Sequence, residues 1–186
     1  MSVDAPRVPP LPRDEWNDEV KEVLQATQMG GRVLNIFQTL AQHPKLLKRW
    51  LVFGNHVLFK STLSPRAREL LILRTGWNCR AEYEWGQHVV IAKQIGFTDD
   101  DIERVTRGPD APGWDALEAA LLRAADELHR DSRIADATWS ALSQHYDMQQ
   151  LIDVVFTVGQ YTLVSMALNS LGVQLDAGIP GFPRPI

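Results

Sequence analysis

The sequence predicts an all-α fold, a helical bundle of about eight or nine helices, on three observations. Apolar residues recur at helical spacing in segment after segment, and helix start and stop signals punctuate the chain. No stretch alternates apolar and polar residues as a half-buried strand does. The 186 residues suit a single domain spanning 1–186. Its core covers about 35–172, between a proline-rich arm, 1–12, and a C-terminal tail, 173–186.

Pro6, Pro9, Pro10 and Pro12 keep the arm extended. From Asp14, the residues Trp16, Val20, Val23 and Leu24 share a helical face, and Gly30 and Gly31 are placed to end that helix. Asn35 is expected to cap a short turn running to His43, after which Pro44 opens a helix through about Phe59. Ser64-Pro65 is a helix start, a capping hydroxyl followed by proline at the first helical position. The run Leu70–Leu73 behind it is apolar enough to be buried on most sides. A further helix follows from Arg80 to Gly96, Thr98 caps Asp99–Arg107, and Gly108, Pro109, Pro112 and Gly113 mark a loop. Trp114–Arg130, Ala135–Tyr146 and Met148–Leu171 complete the set, and the tail AGIPGFPRPI holds no regular element. The Ser64–Phe97 stretch faintly echoes Met148–Val173, which suggests an internal repeat.

Nineteen Lys+Arg against 23 Asp+Glu give a net charge of −4, with no basic runs. That balance argues against nucleic acid or an anionic membrane as partner. The lone Cys79 excludes an intrachain disulfide, a Cys-rich metal site and a two-cysteine redox centre within one chain. The start lacks the basic flank and apolar core of a signal peptide, so a cytoplasmic location is expected. Val154–Leu175 is uncharged and long enough to span a bilayer, yet it carries Thr157, Gln160, Thr162, Asn169, Ser170 and Gln174. It reads as a helix of the core or of a subunit interface.

Chemistry concentrates between Glu69 and His88. On a helix Ala81, Glu84 and His88 lie at i, i+3 and i+7, on one face, which Trp77 would extend backward if the helix began early enough. Glu84 and His88 can form a charge-assisted hydrogen bond, and such an imidazole is suited to donate a proton near neutral pH. The alternative is an exposed helix salt bridge contributing roughly 0.3–0.5 kcal/mol. Glu69, in a mostly buried helix, needs a partner: Arg66, Arg68 and Arg74 are near in sequence, and His88 is the distant candidate. A purely structural pair with an arginine is the bland reading. Glu84 and His88 with Glu69 or His56 could also bind a divalent ion, but no His-Glu-x-x-His pattern exists.

The stretch from Asn35 to Ile102, most specifically Ser64-Pro65…Arg68-Glu69-Leu70 and Glu82-Tyr83-Glu84-Trp85…His88, resembles the carboxymuconolactone decarboxylase family. That family belongs to the all-helical superfamily that includes alkyl hydroperoxidase D. In the peroxidase branch a glutamate precedes a Cys-x-x-Cys pair and a histidine. Here Glu69 and His88 match, but Ala81 and Glu84 stand at the cysteine positions. Thiol-dependent peroxide reduction needs an attacking and a resolving sulfur, which neither residue provides. Cys79 lies two residues earlier, about 200° around a helix, and cannot simply replace the missing thiol; it reads as a small buried apolar residue.

The resemblance therefore implies decarboxylase-like acid–base chemistry with no cofactor and no metal, acting on a small carboxylated lactone or ring. Catalysis is assigned to His88 as proton donor, tuned by Glu84, with Glu69 as a second relay member. Arg74 or His56 is expected to hold the substrate carboxylate, and Tyr83, Trp85 and Trp77 to wall the pocket. Isomerisation or lactone opening would use the same groups. The other readings are a thiol-dependent peroxidase working through Cys79 and a non-catalytic oligomeric binding protein. The resemblance also implies a homo-oligomer, as a dimer, trimer or hexamer.

Overall fold

The computed structural model describes residues 5–28 and 31–183. The helix-ending Gly30, the first four residues of the arm and the last three of the tail lie outside the described residues. Among those described there are nine α-helices and no β-strand. They are α1 (Asp18–Gln25), α2 (Asn35–Leu40), α3 (Pro44–Phe59), α4 (Pro65–Asn78), α5 (Glu82–Gln94), α6 (Asp99–Arg107), α7 (Ala116–Asp131), α8 (Asp136–Ser143) and α9 (Met148–Leu171).

α4 is the axis of the bundle. Ser64 caps it by accepting from the Ala67 amide, and Pro65 occupies its first turn. Leu70, Leu71, Ile72 and Leu73 have no exposed surface, because α5, α7 and α9 pack around α4 on successive sides. Full burial of each such side chain contributes roughly 1.5–3 kcal/mol, which explains why a helix enclosed on most sides is stable here. α5 packs closely against α4 at Gly76, where a Cβ would be in ordinary contact with Glu84 Cγ at 3.5 Å. The chain breaks between the two helices at Arg80, whose positive φ of 51° is unusual for a residue with a side chain.

Three expectations about local structure change. Trp16 lies outside α1, because Asn17 caps that helix by accepting from the Val20 amide, and a 3₁₀ turn over Arg13–Glu15 precedes it. Asn35 does not cap α2; Leu34 occupies the cap position, and the Asn35 side chain donates to the carbonyls of Gln174 and Leu175. The suggested repeat is not structural. Its first copy is a helix pair broken at Arg80, whereas its second is the single 24-residue helix α9.

The tail is irregular but anchored. Asp176 accepts from the Asn35 amide, the Tyr83 hydroxyl and Gln87 Nε2, tying α2 to α5. Gly86 makes this possible, since a Cβ there would collide with the Pro180 carbonyl oxygen and Ile179. Phe182 then packs edge-on against Trp77 at 5.4 Å.

α9 is apolar and long enough to cross a membrane by composition, with a mean hydropathy of 1.6, yet half of that window is buried inside the protein. Its inner face joins the core through Leu151, Val154 and Val158. Its outer face leaves Met148, Ile152, Phe156, Leu163 and Met166 exposed.

Candidate active site

A cavity of about 280 Å³ lies between α2, α3, α5 and α9. Apolar walls come from Ile36 and Phe37 of α2, Leu51 and Leu58 of α3, Ile91 of α5 and Val164 of α9. His88 and Glu84, one turn apart on α5, line it. Its size and mainly apolar lining suit a small organic molecule.

Behind that wall Glu69 pairs with both a distant and a local partner. His88 Nδ1 donates to Glu69 Oε2 at 2.7 Å, joining α5 to α4 across 19 residues. His88 Nε2 lies 3.2 Å from Glu84 Oε1, so the ring stands between two carboxylates. Glu69 is fully buried, Glu84 and His88 are 4% and 5% exposed, and only the latter two reach the cavity. The Nε2 edge therefore faces the open space. Arg68 Nε contacts Glu69 Oε1 at 3.3 Å, so the cluster carries two positive and two negative charges once the imidazole is protonated.

That charge balance governs the proton. Burial alone would lower the His88 pKa, but the facing carboxylates, Glu69 first and then Glu84, outweigh it and raise it to about 10. At neutral pH the ring is an imidazolium. Tyr161 packs edge-on to it, with centroids 4.9 Å apart, and its own hydroxyl is held far above the usual phenol range by burial and then by the nearby glutamates. Tyr161 therefore remains a neutral phenol. It lines the cavity beside Gln160, and both were missed as site residues. The available signal was the Gln160-Tyr161 pair interrupting an otherwise uncharged apolar helix. Trp50 also lines the cavity.

Of the expected pocket walls, Tyr83 is one, and its hydroxyl accepts from the Ile36 amide while donating to Asp176. The other four expected substrate contacts lie elsewhere. Arg74 makes a bidentate pair with Asp126, at 2.6 and 2.9 Å, and donates to the Val105 carbonyl at 2.8 Å; it closes the α4–α6–α7 junction. His56 is on the outer side of α3, exposed, with Arg49 and Lys60. Trp85 is 1% exposed and packs with Trp77 at 5.4 Å in the main core, outside the cavity lining. Trp77 belongs to α4 and so does not extend the Glu84–His88 face, because α5 begins only at Glu82. Neither proposed anchor for a substrate carboxylate is available.

Cys79 is half-buried at the end of α4, with its sulfur 3.6 Å from His129 Nδ1, and burial pushes its thiol pKa up. It does not line the cavity. Its environment disfavours the thiolate that redox chemistry requires. Among the described residues no group of three or more His, Cys, Asp or Glu is arranged to hold a metal ion.

The fold and cluster define a class: an all-α protein in which a carboxylate–imidazole–carboxylate array borders a small apolar cavity. Residues 44–127, which contain Glu69, Glu84 and His88, match the model of the carboxymuconolactone decarboxylase family. Solved structures agree on the fold. An uncharacterized peroxidase-related protein with an alkylhydroperoxidase AhpD core, from Ralstonia eutropha JMP134, is 19% identical with a TM-score of 0.80, covering 92% of this chain and 93% of its own. A peroxidase-related protein from Silicibacter sp. TM1040 is 20% identical with a TM-score of 0.78, covering 96% and 93%. A cysteine-to-alanine variant of the debrominase Bmp8, in complex with 2,3,4-tribromopyrrole, is 14% identical with a TM-score of 0.78, covering 95% of each chain. No curated protein matches the sequence with significance.

Proposed function

We propose that this protein is a cofactor-independent acid–base enzyme that moves a proton to or from carbon on a small ring or lactone. The observation that carries the proposal is the placement of His88, protonated and held between Glu69 and Glu84, at the wall of an apolar cavity. Glu69 fixes the ring through Nδ1, leaving the Nε2 proton beside Glu84 at the cavity edge. When substrate electrons collect on carbon, Nε2 gives up its proton to that carbon, and solvent or Glu84 restores it. Decarboxylation would use the same proton, completing a new C–H bond as CO2 leaves and the electron pair is delocalised. Neither expected carboxylate anchor reaches the cavity, however, which favours isomerisation. Isomerisation uses the same transfer with Glu84 removing a proton elsewhere on the ring. Excluding water strengthens each of these charge interactions.

Structural neighbours described as peroxidase-related suggest thiol chemistry as the second reading, but here alanine and glutamate replace the cysteines, and the cavity contains no thiol. His88→Gln tests the first reading: turnover of a lactone substrate is expected to fall about 10²–10⁴-fold, whereas undiminished turnover would refute it. Peroxide consumption with a dithiol reductant, abolished by Cys79→Ser, would establish the second.

Self-association belongs to the same proposal. Met148, Ile152, Phe156, Leu163 and Met166 of α9, with Val52, Phe53 and Phe59 of α3, form a broad exposed apolar surface, of a kind that usually marks an interface. Its occupant is a second copy of this chain. Light scattering is expected to show an oligomer that Phe156→Glu disrupts; a monomer that floats with liposomes would assign the surface to a membrane instead.

A further inference from the structure

Resting on the proton-transfer reading, we infer that Gln160 is the substrate-recognition residue of this cavity, and that the substrate is a small neutral ring bearing a carbonyl group. Gln160 is 5% exposed and lines the cavity, so the little surface it keeps faces that space. Its amide makes no hydrogen bond to any described residue. Its donor and acceptor are thus free to meet a ligand or water in the cavity, where polar groups are normally satisfied.

The neighbourhood preserves access to it. Gly54 of α3 stands opposite, and a Cβ there would come 3.4 Å from the amide nitrogen and 3.7 Å from Trp50 Cε2. Tyr161, next in sequence, stacks edge-on against His88. Amide, phenol ring and imidazolium thus follow one another along the cavity wall.

Charge selects the ligand. No Lys or Arg is among the lining residues, and the carboxylate of Glu84 already shares the space with His88. The His88 imidazolium is already shared by Glu69 and Glu84, so a substrate carboxylate would be desolvated beside Glu84 without a cation left to pair it. A carbonyl oxygen, by contrast, accepts from the Gln160 amide. It also serves as the electron sink when a neighbouring carbon loses or gains a proton, and the amide N–H stabilises the oxyanion that forms. The electron pair moves from the C–H bond to oxygen and back, so no oxidant or reductant is needed.

The test measures binding of three probes to the full chain by ligand-observed NMR: coumarin, a neutral lactone; naphthalene, its hydrocarbon counterpart; and coumarin-3-carboxylate. Coumarin is expected to bind at least tenfold more tightly than the carboxylate and more tightly than naphthalene. Gln160→Met should weaken coumarin about fivefold, leave naphthalene unchanged and not lower Tm, since an unpaired amide is removed. If Gln160→Met does not fold, Gln160→Leu carries the test, because it removes the same amide with another apolar side chain and should weaken coumarin but not naphthalene. Equal or tighter binding of the carboxylate, no advantage over naphthalene, or unchanged coumarin binding in the variants would overturn the inference. The proton-transfer reading fails on a different readout, a His88 ring found neutral at pH 7, and that result is independent of which probe binds.

Discussion

Two ionic clusters hang from α4 five residues apart, and they differ in what they leave unused. Around Arg74 every partner is internal: Asp126 takes both prongs of the guanidinium, Val105 and Thr106 offer carbonyls, and Asn78 adds a bond to the same carboxylate at 2.7 Å. Gly108 closes the site, since a Cβ there would lie 2.8 Å from Arg74 Nη2. Around Glu69 the inner half is equally closed, by Arg68 and His88 Nδ1, but the outer half opens onto the cavity through Nε2 and Glu84. Buried charge alone does not mark a functional site. A group that can still form a bond towards empty space does.

The sharpest way to break this contrast is to remove each centre in turn. His88→Gln should cost about three orders of magnitude in turnover with the helical circular dichroism spectrum preserved. His88→Ala should also destabilise the fold, because two carboxylates then face each other with only Arg68 nearby. Arg74→Ala is expected to lower unfolding stability by roughly 3 kcal/mol, measured by urea denaturation, while leaving probe binding in the cavity unchanged. If Arg74→Ala instead abolished binding with stability intact, the closed cluster would be the functional one.

Smaller effects sharpen the boundary between the regions. Tyr83→Phe removes the hydroxyl shared by Asp176 and the Ile36 amide, and should cost about 1 kcal/mol of stability together with a modest loss of probe affinity, because the tail then holds the cavity wall less firmly. Cys79→Ser should change neither turnover nor stability measurably, given a half-buried thiol outside the cavity.

Much of the fold was legible because its signals are local. Ser64-Pro65, Thr98 with Asp101, and the Pro44 start each act within one helical turn, and α3, α6 and α9 begin and end where their residues imply. The Glu69–His88 meeting was suggested by resemblance rather than by spacing, since nothing periodic links residues on two helices. Arg74 and His56 were misread for the same reason. A guanidinium in a buried helix announces that it needs an acid, but not that Asp126, 52 residues on, supplies it. His56 shows no sign in sequence of which side of α3 it faces relative to a cavity formed by four helices. Gln160 was counted only as a polar interruption in an apolar run, because an unpaired amide becomes visible only when its surroundings are known.

The proton on His88 also sets how stability responds to pH. Its folded-state pKa, about 10, lies above the unfolded value near 6.5. The stabilisation is therefore complete below about 6.5 and is lost as pH rises through about 10.

Isotope-detected NMR of the His88 ring reads this proton directly across a pH titration of the intact protein. Both ring nitrogens are expected to stay protonated at pH 7 and 8, with a midpoint close to 10; a neutral ring at pH 7, titrating at or below the free imidazole value, would overturn the proton-transfer assignment of His88.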